Sequence, residues 1–346
     1  MRAAIYHEFN GAIAVEDVDD PAVPEDGVVI EIKASGLCRS DLFAWHGNDP
    51  DLGLPHVPGH ELSGVVGEVG KDVKRWKVGE RVTAPFCCGC GTCGFCQAGS
   101  QQVCDNYYQP GFTHWGSFAQ YCAIPAADVN LAALPEAWSF ESASILGCRM
   151  ITAYRALIQR GRLQAGEWVA IHGCGGLGLS MIAIATAVGA RAIAVDLDSG
   201  ALELATKLGA EVTVQAEAGN GRTAVSQIRD VTGGGVDVAV DAFGNAEVAG
   251  NSIKSLRRQG RHVQAGLLKG STTELPLAMV VSKEIEVIGT KGMSAHHYPA
   301  VFELLEQSET DLSLLISRTL KLSELPAAFN DMANFNAIGV AVVNSF

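Results

Sequence analysis

The pattern of apolar and polar positions divides this chain into a strand-rich first part and an alternating second part. From Met1 to about Pro135 the apolar runs are short, rich in β-branched residues and interrupted by glycine or proline, as in Val28 to Lys33 and Leu62 to Val69. Runs of this kind predict β-strands, and helical periodicity is scarce there. From Glu167 onward, strand-like runs alternate with segments of helical period. That alternation predicts a parallel, doubly wound sheet in a second domain.

Six strands are predicted in the second part, and helices follow the first two of them. The strands are Trp168 to His172, Ala192 to Val195, Val212 to Val214, Val236 to Val240, His262 to Ala265 and Ile285 to Ile288. The helices are Leu179 to Val188 and Gly200 to Leu208. After about Gly292 the pattern returns to mixed helices and short strands, so we expect the C-terminal segment to rejoin the first domain. The predicted domains are a β-rich domain of residues 1–148 and 292–346 and an inserted α/β domain of residues 149–291.

Length, composition and charge narrow the classes of protein that this chain can be. A chain of 346 residues is long enough for about two domains, each with its own core. Apolar residues make up 48% and charged residues 18%, which excludes a disordered chain. No apolar run reaches the roughly 18 residues of a membrane helix, and a formal charge of −13 disfavours nucleic acid as a partner. Because Met1 to Glu8 is mixed and polar, unlike a secretory signal, we expect a soluble, cytoplasmic protein.

A glycine-rich loop follows the first strand of the α/β domain directly. It has the G-x-G-x-x-G pattern over residues 173–178, with a helix after it, and consists of Gly173, Cys174, Gly175, Gly176, Leu177 and Gly178. Asp196 ends the next predicted strand, at the distance where such sites carry an acidic residue for the ribose. The pattern predicts that NAD binds with its pyrophosphate at the helix N-terminus, and the carboxylate disfavours the 2′-phosphate of NADP. The alternative is an ordinary structural turn beside a solvated aspartate.

Four cysteines in a short, glycine-rich stretch of the first domain predict a metal site. They have the spacing C-x₂-C-x₂-C-x₇-C and are Cys90, Cys93, Cys96 and Cys104. Zinc binds four thiolates in a closed tetrahedral shell, and such a site is structural. A disulfide pair is disfavoured because no oxidising compartment is implied, and the spacing fits neither common ferredoxin pattern of an iron–sulfur cluster. We therefore expect a structural zinc ion.

Three further motifs, taken with the cysteine run and the glycine loop, resemble the zinc-dependent medium-chain alcohol dehydrogenases over essentially the whole chain. They are Gly36-Leu37-Cys38-Arg39-Ser40-Asp41, Pro58-Gly59-His60-Glu61 and Leu146-Gly147-Cys148. The resemblance implies a GroES-like β-rich catalytic domain and a Rossmann nucleotide-binding domain. It also implies an oxidoreductase that transfers a hydride between an alcohol and NAD.

The resemblance implies a second, catalytic zinc ion, which makes two zinc ions per chain. Its implied ligands are Cys38, His60 and Cys148. Glu61 would lie beside them as an alternate or outer ligand, and Asp41 matches the carboxylate that orients the histidine. Three ligands leave one position for the alcohol oxygen, whose proton the zinc makes easier to remove.

The resemblance also assigns a proton relay, in which this chain departs from many relatives. Ser40 matches the hydroxyl that touches the substrate oxygen and passes its proton outward. In many relatives a histidine three residues later continues the relay, and here that position is Phe43. His46 lies three residues further and is either a substitute or a surface or packing histidine.

Two more positions are implied to bind the cofactor. Arg39 matches an arginine that contacts the pyrophosphate, and Thr152 matches a threonine near the nicotinamide ring. Many relatives carry a second arginine near the C-terminus, where this chain has Val340. Because valine cannot pair with phosphate, we expect the cofactor to depend more on Arg39 and on the helix N-terminus.

Aromatic residues are expected to wall the substrate pocket. They are Phe43, Phe86 and Trp115, although Trp115 or Phe43 could equally pack the core. Aromatic walls favour a primary alcohol with an apolar or aromatic tail over a polyol. The alternatives are a polyol or sugar-alcohol dehydrogenase of the same superfamily and a non-catalytic NAD-binding redox sensor. Relatives of this length imply a homotetramer or homodimer, with the strand at Ile285 to Ile288 in the dimer contact.

Overall fold

The structure is a computed structural model, and it describes residues 1–268, 272–308, 310–334 and 338–346. Its strands, in chain order, are β1 (Arg2–Ile5), β2 (Ala14–Asp17), β3 (Val28–Gly36), β4 (Leu62–Val69), β5 (Arg81–Thr83), β6 (Tyr121–Ile124), β7 (Ala132–Ala133), β8 (Trp168–His172), β9 (Arg191–Asp196), β10 (Val212–Gln215), β11 (Val236–Asp241), β12 (Leu256–Gln264), β13 (Glu286–Gly289), β14 (Ile316–Lys321) and β15 (Val340–Ser345).

The helices are short in the first part of the chain and longer in the second. They are α1 (Arg39–Trp45), α2 (Gly94–Gln97), α3 (Ala127–Asn130), α4 (Phe140–Ser144), α5 (Ile151–Tyr154), α6 (Gly176–Ala187), α7 (Ser199–Lys207), α8 (Gly221–Thr232), α9 (Ala246–Lys254), α10 (Leu277–Lys283), α11 (Tyr298–Gln307) and α12 (Leu325–Ala333). Turns of 3₁₀-helix lie at Gln101–Val103, Ala295–His297, Leu312–Leu315 and Leu322–Glu324. Segments of π-helix lie at Leu146–Met150 and Arg155–Arg160. In the part of the chain that the structure describes, no helix is long and apolar enough to cross a bilayer.

The chain forms two compact units. Unit 1 consists of Met1–Ile151, Gly292–Pro299 and Ile316–Phe346, and unit 2 consists of Thr152–Lys291 and Ala300–Leu315. The sequence analysis assigned all of residues 292–346 to the β-rich domain, and for Ala300–Leu315 the structure corrects it. This segment contributes buried Val301 and Leu305, and its Leu312–Leu315 turn lies against α6 of unit 2. Its apolar periodicity predicts a buried face, but periodicity does not say which sheet the face covers.

Unit 2 contains one parallel sheet of six strands in the order β10-β9-β8-β11-β12-β13. From the neighbours β8 and β11 the chain order runs outward in both directions, so the predicted doubly wound fold is confirmed. In such sheets the ligand crevice lies outside the carboxyl ends of the strands, where the order reverses. All six predicted strands are present, but β12 begins at Leu256 rather than His262. Residues 257–259 are polar and exposed, so they carry no apolar alternation from which a strand could be predicted.

Unit 1 is built around a sheet with the strand order β14-β15-β3-β4-β5-β7, in which β6 also pairs with β3. Apart from the parallel pair β14 and β15, its neighbouring strands are antiparallel. The two predicted strands of this part are β3 and β4, and their buried faces form the core with residues such as Ile30, Ile32 and Leu62. In the register of this pair Ser35 lies opposite Leu62. The residues that follow β3 therefore lie beside those that precede β4.

Candidate functional site

Four side chains of unit 1 converge on one point, as the sequence analysis expected. They are Cys38, His60, Glu61 and Cys148, and one ligand atom from each lies within 4.8 Å of the others. His60 and Glu61 are buried, and the two cysteines are partly buried. Two sulfurs, one imidazole nitrogen and one carboxylate oxygen at these separations form a donor set that suits zinc.

The register of β3 and β4 explains how two of the chain segments meet. Cys38 follows β3 and caps the N-terminus of α1, while His60 and Glu61 precede β4 directly. The Gly36 N–H donates to the Glu61 carbonyl over 2.8 Å, which joins the two segments at the site. Gly59 has a φ of +104°, and a Cβ there would lie 2.7 Å from the Phe118 nitrogen, so only glycine fits before the histidine.

The third segment reaches the site through a local widening of the helix. Cys148 lies in the π-helical segment Leu146–Met150, a form that is common at functional sites. The Gly147 carbonyl accepts a hydrogen bond of 2.8 Å from the Phe86 N–H. A Cβ at Gly147 would lie 3.0 Å from the Glu61 Cα and 3.2 Å from the His60 carbonyl oxygen. A side chain before Cys148 would therefore push this segment away from the site.

The two ring nitrogens of His60 have different environments. Nδ1 lies 2.8 Å from Asp41 Oδ1, and both side chains are buried. Nε2 is buried and has no hydrogen-bond partner among the described residues. A carboxylate on one nitrogen and a buried, unsatisfied second nitrogen are what a metal-binding histidine requires. The same carboxylate accepts from the Cys38 N–H over 2.9 Å and from the Gly59 N–H over 3.2 Å, so Asp41 connects two segments of the site.

The charges around the cluster favour a thiolate at Cys38. The hydrogen bond from the Cys148 thiol, together with the Arg149 and His60 charges, lowers the pKa of Cys38 well below its ordinary value despite burial. The same hydrogen bond and burial raise the pKa of Cys148. Burial opposes the charged form of His60, but Asp41 and Cys38 together raise its pKa. Zinc binds deprotonated thiols and neutral imidazole, so Cys38 is the one of these three groups whose pKa shift favours the metal-binding form in the absence of a cation.

Arg149 is a residue of this site that the sequence analysis missed. It is only 3% exposed, and it contacts both carboxylate oxygens of Glu61. Its N–H and its Nε–H donate to Glu61 Oε1 over 3.1 Å and 2.9 Å, and its Nη2 lies 2.6 Å from Oε2. Nη2 also donates to the Leu37 carbonyl over 2.9 Å. The only sequence signal was its position directly after Cys148, and position alone did not indicate a partner.

The residues considered for the proton relay, and Arg39, which was predicted to bind the pyrophosphate, lie on or next to α1. Ser40 is partly buried, and its Oγ lies 3.7 Å from Cys38 Sγ. Phe43 is partly buried, and Arg39 is exposed at the start of the helix. His46 is exposed, and its Nδ1 lies 2.6 Å from Asn10 Oδ1. Six residues beyond Ser40, it points about 120° around the helix axis from the serine. The structure therefore gives His46 a surface partner rather than a place beside Ser40.

Two aromatic rings lie edge-on against His60. The Phe86 centroid lies 6.1 Å from it and the Phe112 centroid 5.2 Å, with interplanar angles of 75° and 71°. Phe112 was not predicted, because nothing in its sequence context distinguishes it from an ordinary core phenylalanine. Trp115 is 37% exposed, and its indole N–H donates to the Pro55 carbonyl over 3.0 Å. Phe86 and Phe112 therefore place apolar surface directly beside the histidine.

The second predicted metal site is also assembled in unit 1. The sulfurs of Cys90, Cys93, Cys96 and Cys104 lie within 4.8 Å of one another. Backbone N–H groups point at them, as in the contacts of 3.4 Å from Cys93 to Cys90 Sγ and 3.3 Å from Asn106 to Cys104 Sγ. Donors of this kind stabilise thiolates, and four thiolates suit zinc. All ten cysteines lie within the described residues, and none of them forms a disulfide.

The glycine loop of unit 2 shows three different requirements for glycine. Gly173 has a φ of +97°, which makes the tight turn after β8. Gly175 is exposed, and a Cβ there would meet nothing within 4 Å, so the backbone is open to a ligand. A Cβ at Gly178 would lie 1.8 Å from the Gly173 carbonyl oxygen, so only glycine allows the helix to pack this closely. Gly176 and Leu177 form the first turn of α6. This geometry fits the pyrophosphate of a dinucleotide.

Asp196 and Thr152 lie in unit 2 with the glycine loop. Asp196 ends β9, and its carboxylate accepts from the Cys174 N–H over 2.6 Å and from the Asp198 N–H over 2.9 Å. Thr152 is buried, and its hydroxyl has no hydrogen-bond partner within the described ranges. The aspartate is thus held against the loop, as a ribose-binding carboxylate requires.

Comparison with protein families agrees with both halves of the structure. The family described as alcohol dehydrogenase GroES-like domain matches residues 24–136. The family described as zinc-binding dehydrogenase matches residues 176–307. Unit 1 is therefore GroES-like and unit 2 is Rossmann-like, as the sequence analysis predicted.

Individual relatives cover nearly the whole chain. An alcohol dehydrogenase of Geobacillus stearothermophilus is 37% identical over 84% of this chain and 84% of its own length. A D-arabitol-phosphate dehydrogenase of Enterococcus avium is 31% identical over 95% of this chain and 93% of its own. Among solved structures, an alcohol dehydrogenase from Thermus sp. ATN1 has a TM-score of 0.89 and 29% identity, and the match covers 100% of both chains.

Proposed function

Because the chain belongs to the zinc-dependent medium-chain alcohol dehydrogenase family, we propose that it is an NAD-dependent alcohol dehydrogenase. In this reaction an alcohol and NAD⁺ give an aldehyde or ketone, NADH and a proton. The hydride leaves the alcohol carbon for the nicotinamide ring, and the hydroxyl proton leaves through the protein. The proposed substrate is a primary alcohol with an apolar or aromatic tail.

The observation that carries the proposal is the convergence of Cys38, His60 and Cys148, with Nε2 of His60 buried and without a hydrogen-bond partner in the described part of the chain. A buried nitrogen without a partner is costly, and a metal ligand bond removes that cost. These three side chains would hold the zinc ion, and Glu61 would lie beside it. Zinc bound there supplies Lewis acidity, which makes the alcohol hydroxyl a stronger acid.

The residues around the cluster have separate proposed roles. Asp41 holds the His60 ring in the orientation that directs Nε2 to the site. Ser40 accepts the alcohol proton and passes it outward, and Phe43 leaves the relay shorter than in many relatives. Phe86 and Phe112 keep water away from the histidine. With Phe43 and Trp115 they would form the apolar walls of the pocket.

Selectivity for NAD over NADP is proposed from the charge at the end of β9. The Asp196 carboxylate would accept hydrogen bonds from the ribose hydroxyls and repel a 2′-phosphate. Gly173, Gly175, Gly176, Leu177 and Gly178 would surround the pyrophosphate. Arg39 would add a positive charge there, and Thr152 a hydroxyl near the nicotinamide.

Steady-state kinetics with metal analysis test the proposal. We expect two zinc ions per chain, benzyl alcohol oxidised at least about tenfold more efficiently than sorbitol, and NAD preferred over NADP by about 100-fold. Faster oxidation of sorbitol would contradict the apolar substrate class. A protein that binds one zinc ion and oxidises none of these alcohols would instead be a sensor.

The NAD preference has a matched pair of variants. Asp196→Ser removes the carboxylate, and we expect the preference for NAD to fall by about tenfold or more, since a charge-assisted hydrogen bond contributes about 1.5–3 kcal/mol. Asp198→Asn is the control, because asparagine caps α7 as well as aspartate does. An unchanged cofactor ratio in Asp196→Ser would remove this residue from the cofactor site.

A second candidate substrate class comes from the D-arabitol-phosphate dehydrogenase relative. A polyol phosphate would need polar or cationic side chains around its remaining hydroxyls and phosphate, whereas Phe86 and Phe112 are the rings that lie against His60. Including D-arabitol phosphate in the same kinetic panel decides between the two classes.

Three further expectations remain proposals. The catalytic domain is proposed to comprise residues 1–148, 292–299 and 316–346, and the cofactor domain residues 149–291 and 300–315. A homotetramer or homodimer is proposed, with β13, the edge strand of the parallel sheet, in the dimer contact. A cytoplasmic location is also proposed.

A further inference from the structure

We infer that Arg149 is a positioning residue that keeps the Glu61 carboxylate out of the metal shell, and thereby keeps one coordination position open. The inference rests on the proposed function, because it concerns the zinc ion that Cys38, His60 and Cys148 would hold. It assigns a role to the pairing of Arg149 and Glu61, which neither the sequence motifs nor the zinc ligands explain.

The position of Glu61 decides whether the site is open. Its carboxylate oxygen lies within 4.8 Å of the ligand atoms of Cys38, His60 and Cys148. Four protein ligands form the closed shell of a structural zinc site, whereas a catalytic site has three and leaves the fourth position to substrate. The chain therefore has a fourth ligand within reach, and something must hold it back.

Arg149 holds this carboxylate at both oxygens. Oε1 accepts from the backbone N–H over 3.1 Å and from Nε over 2.9 Å. Oε2 lies 2.6 Å from Nη2, but the angle at this contact is unsuitable for a hydrogen bond. Oε2 can therefore still accept from, or bind to, another partner. The carboxylate is thus restrained by charge and by position, while one of its oxygens could still bind a metal.

The guanidinium cannot follow Glu61 toward the metal. Nη2 donates to the Leu37 carbonyl over 2.9 Å, and the backbone of Arg149 is fixed next to Cys148. Arg149, the residue directly after Cys148, therefore contacts both Leu37, the residue before Cys38, and Glu61, the residue after His60. A Cβ at Gly36 would lie 2.5 Å from Glu61 Oε2, so the main chain at Gly36 also lies close to the carboxylate.

Removing the arginine should turn Glu61 from an outer residue into a ligand. A buried carboxylate that loses its cation is costly, and the nearest remaining positive charge is the metal. A fourth protein ligand binds zinc more tightly and competes with substrate. Damage to the fold would do the opposite, since a distorted site releases zinc faster. The direction of the change therefore separates the two roles.

The first experiment measures zinc release from the full-length, zinc-loaded Arg149→Met variant in excess EDTA. The Cys90, Cys93, Cys96 and Cys104 site serves as the internal reference, and Asp41→Asn identifies which phase belongs to the Cys38 site. We expect release from the Cys38 site to slow by about tenfold, with kcat lowered about 100-fold and the NADH dissociation constant unchanged within about twofold. Faster or unchanged zinc release would overturn the inference.

A second readout probes the open position without turnover. Imidazole is titrated into the cobalt-substituted protein, and the visible absorption of the metal reports ligand binding. In Arg149→Met we expect imidazole to bind at least about tenfold more weakly than in the unmodified protein, because Glu61 occupies its place. Equal affinity in the two proteins would contradict the role of Arg149.

A double variant tests whether Arg149 acts through Glu61. Combining Arg149→Met with Glu61→Gln removes the carboxylate as well, so zinc release and imidazole affinity should return to within about threefold of the unmodified protein. If the role of Arg149 were purely structural, no such rescue would occur, and a double variant without rescue would overturn the inference.

Should Arg149→Met fail to fold, Arg149→Lys is the second variant. Lysine keeps the charge but cannot bind both Glu61 oxygens and the Leu37 carbonyl. It should slow zinc release by about threefold, and unchanged or faster release would again overturn the inference.

These outcomes are distinguishable from failure of the proposed function. If the unmodified protein binds no zinc at the Cys38 site or oxidises no alcohol, the proposed function fails. If it does both, and Arg149→Met releases zinc no more slowly, only the positioning role fails.

Discussion

At the scale of single residues, the proposed metal site depends on a carboxylate that is not one of its proposed ligands. The Asp41 carboxylate lies 2.8 Å from Nδ1 of His60 and accepts hydrogen bonds from the backbone N–H groups of Cys38 and Gly59. One side chain thus sets the orientation of two proposed ligands that lie far apart in the sequence. Outer residues of this kind change metal affinity without changing the ligand set.

Asp41→Asn tests this role. Asparagine has one acceptor oxygen where aspartate has two. The His60 ring and the Cys38 backbone N–H therefore lose part of their restraint. We expect zinc affinity at this site to fall by about 10–100-fold, measured by competition with a chelator. Asp72→Asn, at an exposed aspartate, is the matched control and should leave the affinity unchanged. An affinity within about twofold of the unmodified protein would show that the ligands hold their geometry without Asp41.

A buried histidine of unit 2 should make stability depend on pH. His172 ends β8, and burial, with a smaller effect of His262, lowers the pKa of His172 to about 3. The unfolded chain takes up a proton near pH 6.5, whereas the folded chain does not. Stability from this residue is therefore present above about pH 6.5 and is lost as the pH falls toward 3.

The prediction concerns how the pH dependence of the unfolding free energy differs between the unmodified protein and His172→Gln. Between pH 7 and pH 5, His172 should cost the unmodified protein about 2 kcal/mol of unfolding free energy, and His172→Gln should not show this loss. Urea unfolding of both proteins at both pH values measures it. Equal losses in the two proteins would mean that His172 is protonated in the folded state.

At the scale of elements, two glycines at the junction of β8 and α6 have different roles, one in packing and the other in the proposed binding of the cofactor. Gly178 has no room for a Cβ because of the Gly173 carbonyl oxygen, whereas Gly175 has open space. The two glycines lie three residues apart in one loop, yet the structure gives them different reasons to be glycine. Their alanine variants should therefore fail in different assays.

Gly178→Ala should destabilise the protein by about 1–3 kcal/mol or more, because helix and loop must separate. Gly175→Ala should change stability by less than about 1 kcal/mol but weaken NADH binding by about tenfold or more, because the methyl group lies where the pyrophosphate would approach. Thermal unfolding and NADH fluorescence titration measure the two effects. Each variant is the control for the other, and loss of both properties in Gly175→Ala would contradict an open cradle.

At the scale of the whole molecule, the proposed metal sites lie in unit 1, and most of the proposed cofactor residues, Arg39 apart, lie in unit 2. Both metal-type clusters lie in unit 1, while the glycine loop and Asp196 lie in unit 2. Each unit has its own sheet and its own buried core. Binding of the cofactor should therefore survive loss of the metal ions.

Removal of zinc tests this separation. After dialysis against a chelator, we expect alcohol oxidation to be lost and the NADH dissociation constant to stay within about threefold of its initial value. Added zinc should restore turnover. If NADH binding disappeared together with the metal, the two sites would be coupled in folding rather than independent.

Much of the fold and part of the site were predictable because they are local in sequence. The glycine loop lies between a strand and a helix, and the four cysteines lie within 15 residues of one another. The boundaries were less predictable where the pattern is weak, as in the polar start of β12 and the choice of sheet for Ala300–Leu315. Arg149 and Phe112 could not be predicted, because their contacts in the site are with side chains that are distant in the sequence.

The sequence alone determined the two domain classes, because the apolar pattern along each half of the chain indicates strands or alternating strands and helices. It also determined the dinucleotide loop and the cysteine run, because each is encoded within a short stretch of residues. What only the tertiary structure decided was the assembly of Cys38, His60 and Cys148 and the pairing of Glu61 with Arg149 across 88 positions. That assembly depends on the register of β3 and β4 and on the π-helical segment at Cys148. Strand register and helix packing are long-range properties, and a linear pattern does not contain them.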